Sequence, residues 1–202
     1  MITGHVVIRN YAIAVDGTKI FSGEKPLENF LQAAYDHVKI DYPKFYKMDP
    51  LSRLGFLAAE ILIRKHSISG YDPAAVAVVL SNCHSSLDSD QKYFEASRKA
   101  ASPALFVYTL PNIVVGEICI RHKIKGENAF FVSERFDPEL LADYVDVILS
   151  TGSAQVCLAG WVDVLNEHHD VFLYLIEKKL AGNAREVADR LRSIYNTELW
   201  NN

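Results

Sequence analysis

Lys125-Gly126-Glu127-Asn128-Ala129-Phe130-Phe131-Val132-Ser133-Glu134-Arg135-Phe136 runs directly into Asp137-Pro138, and Val156-Cys157-Leu158-Ala159-Gly160 follows one helix later. Ala129 to Val132 reads as a strand. Asp137-Pro138 is a helix start: the carboxylate caps and proline suits the first turn. Thr151-Gly152 ends that helix near Ser150, and Ala154 to Ala159 is the next strand. Strand, helix and strand in succession predict an α/β chain with one mixed β-sheet covered by helices on both faces.

The rest of the chain repeats this alternation. Ile2 to Ile8 and Tyr11 to Val15 read as strands, and Asp16-Gly17 is a turn signal. Leu27, Phe30, Leu31, Ala34 and Val38 have helical spacing, which Tyr42-Pro43 breaks. Pro50 to Lys65 is a second helix, capped by Asp49. Val76 to Leu80 reads as a buried strand, Ser81 to Ser89 as a polar loop, and Asp88 or Ser89 opens a short helix. Ser102-Pro103 is another break. Asn112 to Lys123 is apolar almost all round and predicts a deeply buried helix. Val171 to Glu177 reads as a strand, with a helix over Leu165 to Leu180 as the alternative. Ala184 to Tyr195 is a final amphipathic helix.

The 202 residues suit a single domain, 1–202, with a sizeable core. A net charge of -4 argues against a nucleic-acid binder. The chain shows no signal-peptide pattern and no apolar run of membrane-spanning length, so a cytoplasmic location is the expectation. Cys83, Cys119 and Cys157 lack the clustering of a disulfide framework or zinc site, and neither metal nor cofactor is expected. Cys119 and Cys157 read as buried small hydrophobes. His168-His169, with Glu167 and Asp170, reads as a polar surface loop rather than a metal site.

Several segments carry a resemblance. The block from Gly126 to Gly160 resembles the core of a β-ketoacyl synthase, whose pattern is G-P-N-x-x-V-S-x-A-C-x-S, a helix, then V-x-L-A-G-G; the two align without a gap. Lys47-Met48-Asp49-Pro50-Leu51-Ser52-Arg53 resembles that family's K-M-D-x-x-S-R, and Ser102-Pro103-Ala104-Leu105-Phe106-Val107-Tyr108-Thr109-Leu110-Pro111-Asn112 its S-P-x-x-F-x-x-T-L-P-N. Gly116 matches a family glycine in the helix that follows. The resemblance covers roughly residues 47 to 161 and implies the amino-terminal half of a ketosynthase, with a thiolase-like fold.

Arg135 stands where the family has its nucleophilic cysteine. A guanidinium cannot attack a thioester, which calls for a thiolate. The family's second half, with two histidines that serve decarboxylation, finds no counterpart, and His168-His169 does not fit those roles. The resemblance therefore implies a relative of 3-oxoacyl-[acyl-carrier-protein] synthase that is non-catalytic by itself. It would serve fatty-acid or polyketide biosynthesis as a chain-length-factor-like partner of a complete ketosynthase, or form a homodimer. An acyl carrier protein is a further expected partner, and Arg121-His122-Lys123-Lys125 is a basic run that could meet it.

Two other readings stay open. Ser133 or Cys83, the latter beside His84, could replace the thiol in an acyl-thioester transferase or hydrolase. Alternatively the chain binds an acyl chain or small ligand, with Ser133, Glu134 and Arg135 at the site and Arg135 pairing with a carboxylate or phosphate. The helix after Arg135 would favour Glu134 through its dipole. It also carries a polar stripe, Glu139, Asp143, Asp146 and Ser150, unsuited to burial between two sheets. The strand Ala129, Phe130, Phe131, Val132 is either an exposed edge that pairs across an interface or an internal strand with both aromatics in the core.

Overall fold

The computed structural model describes residues 2–178 and 183–197. Seven strands make one mixed sheet: β1 (Ile2–Arg9), β2 (Ala12–Val15), β3 (Thr18–Ser22), β4 (Val76–Asn82), β5 (Asn128–Val132), β6 (Val156–Leu165) and β7 (His168–Glu177). Their order is β3-β2-β1-β7-β6-β4-β5. β4 runs parallel to both β5 and β6, and every other neighbouring pair is antiparallel.

The side-chain period of two divides the core. On one face Val78, Leu80, Leu158, Val162 and Leu173 pack with α1 (Leu27–Val38), α2 (Pro50–Lys65) and α5 (Ile113–His122). On the other Ala77, Val79, Cys157, Ala159, Phe172 and Tyr174 meet α6 (Pro138–Thr151) and α7 (Ala184–Asn196). Strands covered on both sides must be apolar on both sides, and β4 is buried from end to end. Between β4 and α5 the chain makes an excursion through α3 (Leu87–Ser97) and the short α4 (Pro103–Val107).

Local signals explain the joints. Asp49 accepts the Ser52 N–H at 3.0 Å and Asp137 the Leu140 N–H at 2.9 Å, so both helices start where the Asp-Pro pairs predict. Gly160 has φ 148°, and a Cβ there would lie 2.0 Å from the Phe172 carbonyl oxygen. Only glycine lets β7 approach β6 at this point.

Several expectations are corrected. β3 carries exposed residues without apolar alternation and was not foreseen. β6 continues through Trp161-Val162-Asp163-Val164 instead of stopping at Ala159. His168 and His169 begin β7, not a surface loop, and His169 is buried. The helical alternative for Leu165 to Leu180 fails, because β6 and β7 form a hairpin across Asn166-Glu167; Lys179 and Leu180 lie outside the described residues. α5 is not buried all round, since Ile120 is 63% exposed and Cys119 half-buried.

The α6 stripe behaves as expected: Glu139, Asp143 and Ser150 are exposed and Asp146 half-exposed. α7 turns Arg185, Glu186, Asp189 and Arg190 outward beside it, so this layer presents charge rather than a seat for a second sheet.

Candidate functional site

The carboxyl ends of β4, β5 and β6 lie at one end of the sheet, where α/β folds gather ligand loops. The loops after β4 and β5 meet there: the Ser133 N–H donates to the Asn82 carbonyl oxygen at 2.9 Å. Cys83 and Phe131 both pack on the α6 face. The structure thus brings the two alternative nucleophiles, Cys83 and Ser133, onto adjoining loops.

Asp163, near the end of β6, organises the first loop. It is 3% exposed. Its Oδ1 accepts the backbone N–H groups of both Cys83 and His84, each at 3.0 Å, and its Oδ2 lies 2.8 Å from His84 Nδ1. A carboxylate only accepts, so the neutral His84 ring carries its proton on Nδ1 and has Nε2 as its acceptor. The His84 side chain is 32% exposed. Fully buried Asn82 clamps the next residue, accepting from the Ser85 N–H at 2.9 Å and donating to the Ser85 carbonyl at 2.8 Å. Ser85 sits at φ 51°, a left-handed conformation that non-glycine residues seldom adopt. The Cys83-His84 pair is therefore no dyad of neighbours: the ring belongs to Asp163.

The second loop leads through Glu134 and Arg135 to the α6 start. Glu134 and Arg135 are exposed and make no hydrogen bond or ion pair to a described residue. The first turn of α6 is satisfied by Asp137, so neither residue caps it. Ser133 is half-buried, with no base hydrogen-bonded to its hydroxyl among the described residues. Arg135 lines a cleft of about 610 Å³ with Phe136, Asp137, Pro138, Glu139, Arg192, Tyr195 and Asn196. The Tyr195 ring forms its wall, stacked 4.2 Å from Phe136 on one side and 4.1 Å from the Arg9 guanidinium on the other. Asp170 fixes this wall, accepting from the Tyr195 hydroxyl and from Arg9 Nε. Burial, then the Asp170 charge, pushes the Tyr195 hydroxyl well above its ordinary value.

Other expected residues are engaged elsewhere. Arg121 is turned inward, donating to Glu60 at 2.9 and 2.8 Å, and His122 is 3.5 Å from the same carboxylate. Burial alone would raise the Glu60 pKa, but the Arg121 hydrogen bonds win and hold it below the usual range. Of the basic run, only Lys123 and Lys125 are left for a partner. Buried Cys157 is a core hydrophobe whose thiol is pushed up by burial; half-buried Cys119 is raised to about 11 by the same cause. His169 accepts the Tyr11 N–H on Nε2 and is held on Nδ1 by the Glu167 carbonyl, at 3.2 and 3.0 Å.

β5 is an edge strand, paired with β4 on one side only among the described residues. The internal-strand reading fails, since β5 is at the sheet edge; Phe130 and Phe131 are half-buried against opposite faces. Val132 is 57% exposed; Ile120 of α5 and Val147 of α6 are 63% and 56% exposed. α3 and α4 expose Phe94, Leu105, Phe106 and Val107, and Leu110 follows.

Asp163, Asn82 and the Arg9–Asp170–Tyr195 group escaped the sequence reading. A signal for the first existed. Asp163 lies between Val162 and Val164, and a carboxylate inside a β-branched run must find buried donors.

No family model and no curated protein matches this sequence. Solved structures do. The chain is similar to one in "The ishigamide ketosynthase/chain length factor", at 16% identity and TM-score 0.66, covering 90% of this chain and 62% of that one. It is similar to one in "Ketosynthase (ApeO) in Complex with its Chain Length Factor (ApeC) from Xenorhabdus doucetiae", at 12% identity and TM-score 0.63, covering 98% and 92% respectively. A third, from a "type II PKS acyl-carrier protein in complex with its ketosynthase bound to the hexaketide", gives 16% identity and TM-score 0.62 over 88% of this chain and 62% of that one. The fold is that of these ketosynthase and chain-length-factor structures, and this chain spans three fifths of the length of two of the matched chains.

Proposed function

We propose that this chain is a ketosynthase-like subunit of polyketide or fatty-acid biosynthesis that does not itself condense acyl groups, and that it pairs with a complete, cysteine-bearing ketosynthase in the manner of a chain-length factor. The observation that carries this reading is the open edge of β5, on which Val132 is exposed. A strand with one open edge is a template for a second chain. α3 and α4 expose Phe94 and Phe106, further apolar side chains a partner could cover. Arg135 at the expected nucleophile position supports the loss of condensation chemistry, and Lys123 and Lys125 are cations an acidic acyl carrier protein could use. No helix among the described residues is long and apolar enough to cross a membrane.

Co-expression with the ketosynthases and acyl carrier proteins of its own gene neighbourhood tests the proposal. A stable one-to-one complex with a ketosynthase, and no condensation by this chain alone, is expected. A lone monomer or homodimer, or condensation by the isolated chain that vanishes in Ser133→Ala, would overturn it.

A further inference from the structure

We propose that His84 is a proton acceptor and that the Asn82–Ser86 loop, at the carboxyl end of β4, hydrolyses acyl thioesters and activated esters. This activity is separate from condensation and does not depend on the pairing proposed above. It stands on geometry. Asp163 fixes the His84 proton on Nδ1, leaving Nε2 a lone pair on a ring one-third exposed. Two backbone donors to the same carboxylate and two bonds from Asn82 hold the loop rigid around a left-handed Ser85. Strain of this kind persists only where the surroundings over-determine it, and it gathers at functional sites. The fold also places this loop at the carboxyl ends of the parallel strands.

The reaction class follows from the groups the loop holds. A base oriented by a buried carboxylate can take a proton from water. The water oxygen then bonds to the acyl carbon, and the carbon–sulfur bond breaks. The proton held on Nε2 passes to the departing thiolate, giving a carboxylic acid and a free thiol. No other acid is hydrogen-bonded to His84 among the described residues, so the proton His84 took from water is the one available to the leaving group. Thiolates and nitrophenolates need little help to depart, which favours thioesters and activated esters as substrates. Asp163 acts through His84 and is a positioning residue.

The test uses the purified chain with butyryl-N-acetylcysteamine and p-nitrophenyl butyrate. Hydrolysis above the buffer rate, rising with pH through one ionisation, is expected. His84→Gln should lose about 100-fold, the order a general base contributes, with an unchanged thermal midpoint. Asp163→Asn should move the inflection of the pH profile as well as lower the rate. A rate equal to buffer, or one unaltered in folded His84→Gln, sinks the proposal. So does loss of activity in Cys83→Ala with His84→Gln unaffected, which would make the thiol a covalent nucleophile instead.

Discussion

β6 and β5 are both parallel neighbours of β4, yet they live in different surroundings. β6 is buried from Val156 to Val164, with helices on both faces and a strand on each side. β5 has no fully buried residue and one open side. The chain keeps its stability in the first strand and leaves the second available. If that division is real, perturbations at β6 and its helices should unfold the protein, whereas perturbations at β5 should change only its associations.

Gly160→Ala gives the strongest test. A Cβ 2.0 Å from the Phe172 carbonyl oxygen cannot be relieved by a side-chain rotation. A loss of about 3–5 kcal/mol in urea unfolding is expected, the upper range for single substitutions. Glu60→Ala comes next. It removes the acceptor of half-buried Arg121 and of exposed Arg64 at a site 3% exposed, and should cost about 2 kcal/mol.

Acid is the third lever, and it acts on the packed region. His5, His122 and His169 are each held below the ordinary imidazole value, chiefly by burial. The unfolded chain therefore takes up protons first, from about pH 6.5 downward, and the thermal midpoint should fall as pH drops through that value. Asp16 acts further down. Burial pulls its pKa up, but bonds from Lys65, the His5 N–H and His66 bring it to about 2. Its contribution is present above the ordinary carboxylate value and disappears as pH falls through about 2. A midpoint flat between pH 7 and 5 would contradict the histidine assignment.

Val132→Asp gives the smallest change in stability, within about 0.5 kcal/mol by thermal unfolding, because the side chain faces solvent. The same variant should abolish capture of a ketosynthase partner. A large loss of stability there would show that β5 belongs to the core after all.

The sequence made some of this readable. Asp49-Pro50 and Asp137-Pro138 mark two helix starts because capping is a local interaction among adjacent residues. The block from Gly126 to Gly160 resembled a family motif, and the solved structures bear out the fold. What escaped reading depended on distant contacts. β3 forms by pairing with β2 and has no apolar period to betray it. His168-His169 reads as polar, yet His169 is stacked 5.6 Å from Phe30 and supports the Tyr11 backbone. The site behaved the same way. Ser133 and Cys83 could be nominated from their neighbours, but the Asp163–His84 pairing joins β6 to the loop after β4 and exists only after the sheet has formed.

The pairing of β1 with β7 sets a timetable for folding. Ile2 lies opposite Ile176, so the first strand waits for almost the whole chain before it finds its place. At roughly 5–20 residues per second on the ribosome, that wait lasts on the order of 10–30 s. Meanwhile the β1–β2–β3 meander can close by itself, with the β1 edge that β7 will cover left bare. Such long-range pairing makes folding slow and exposes a sticky edge to other nascent chains. Refolding yield should thus depend on protein concentration, and holding chaperones should protect the meander until β7 emerges.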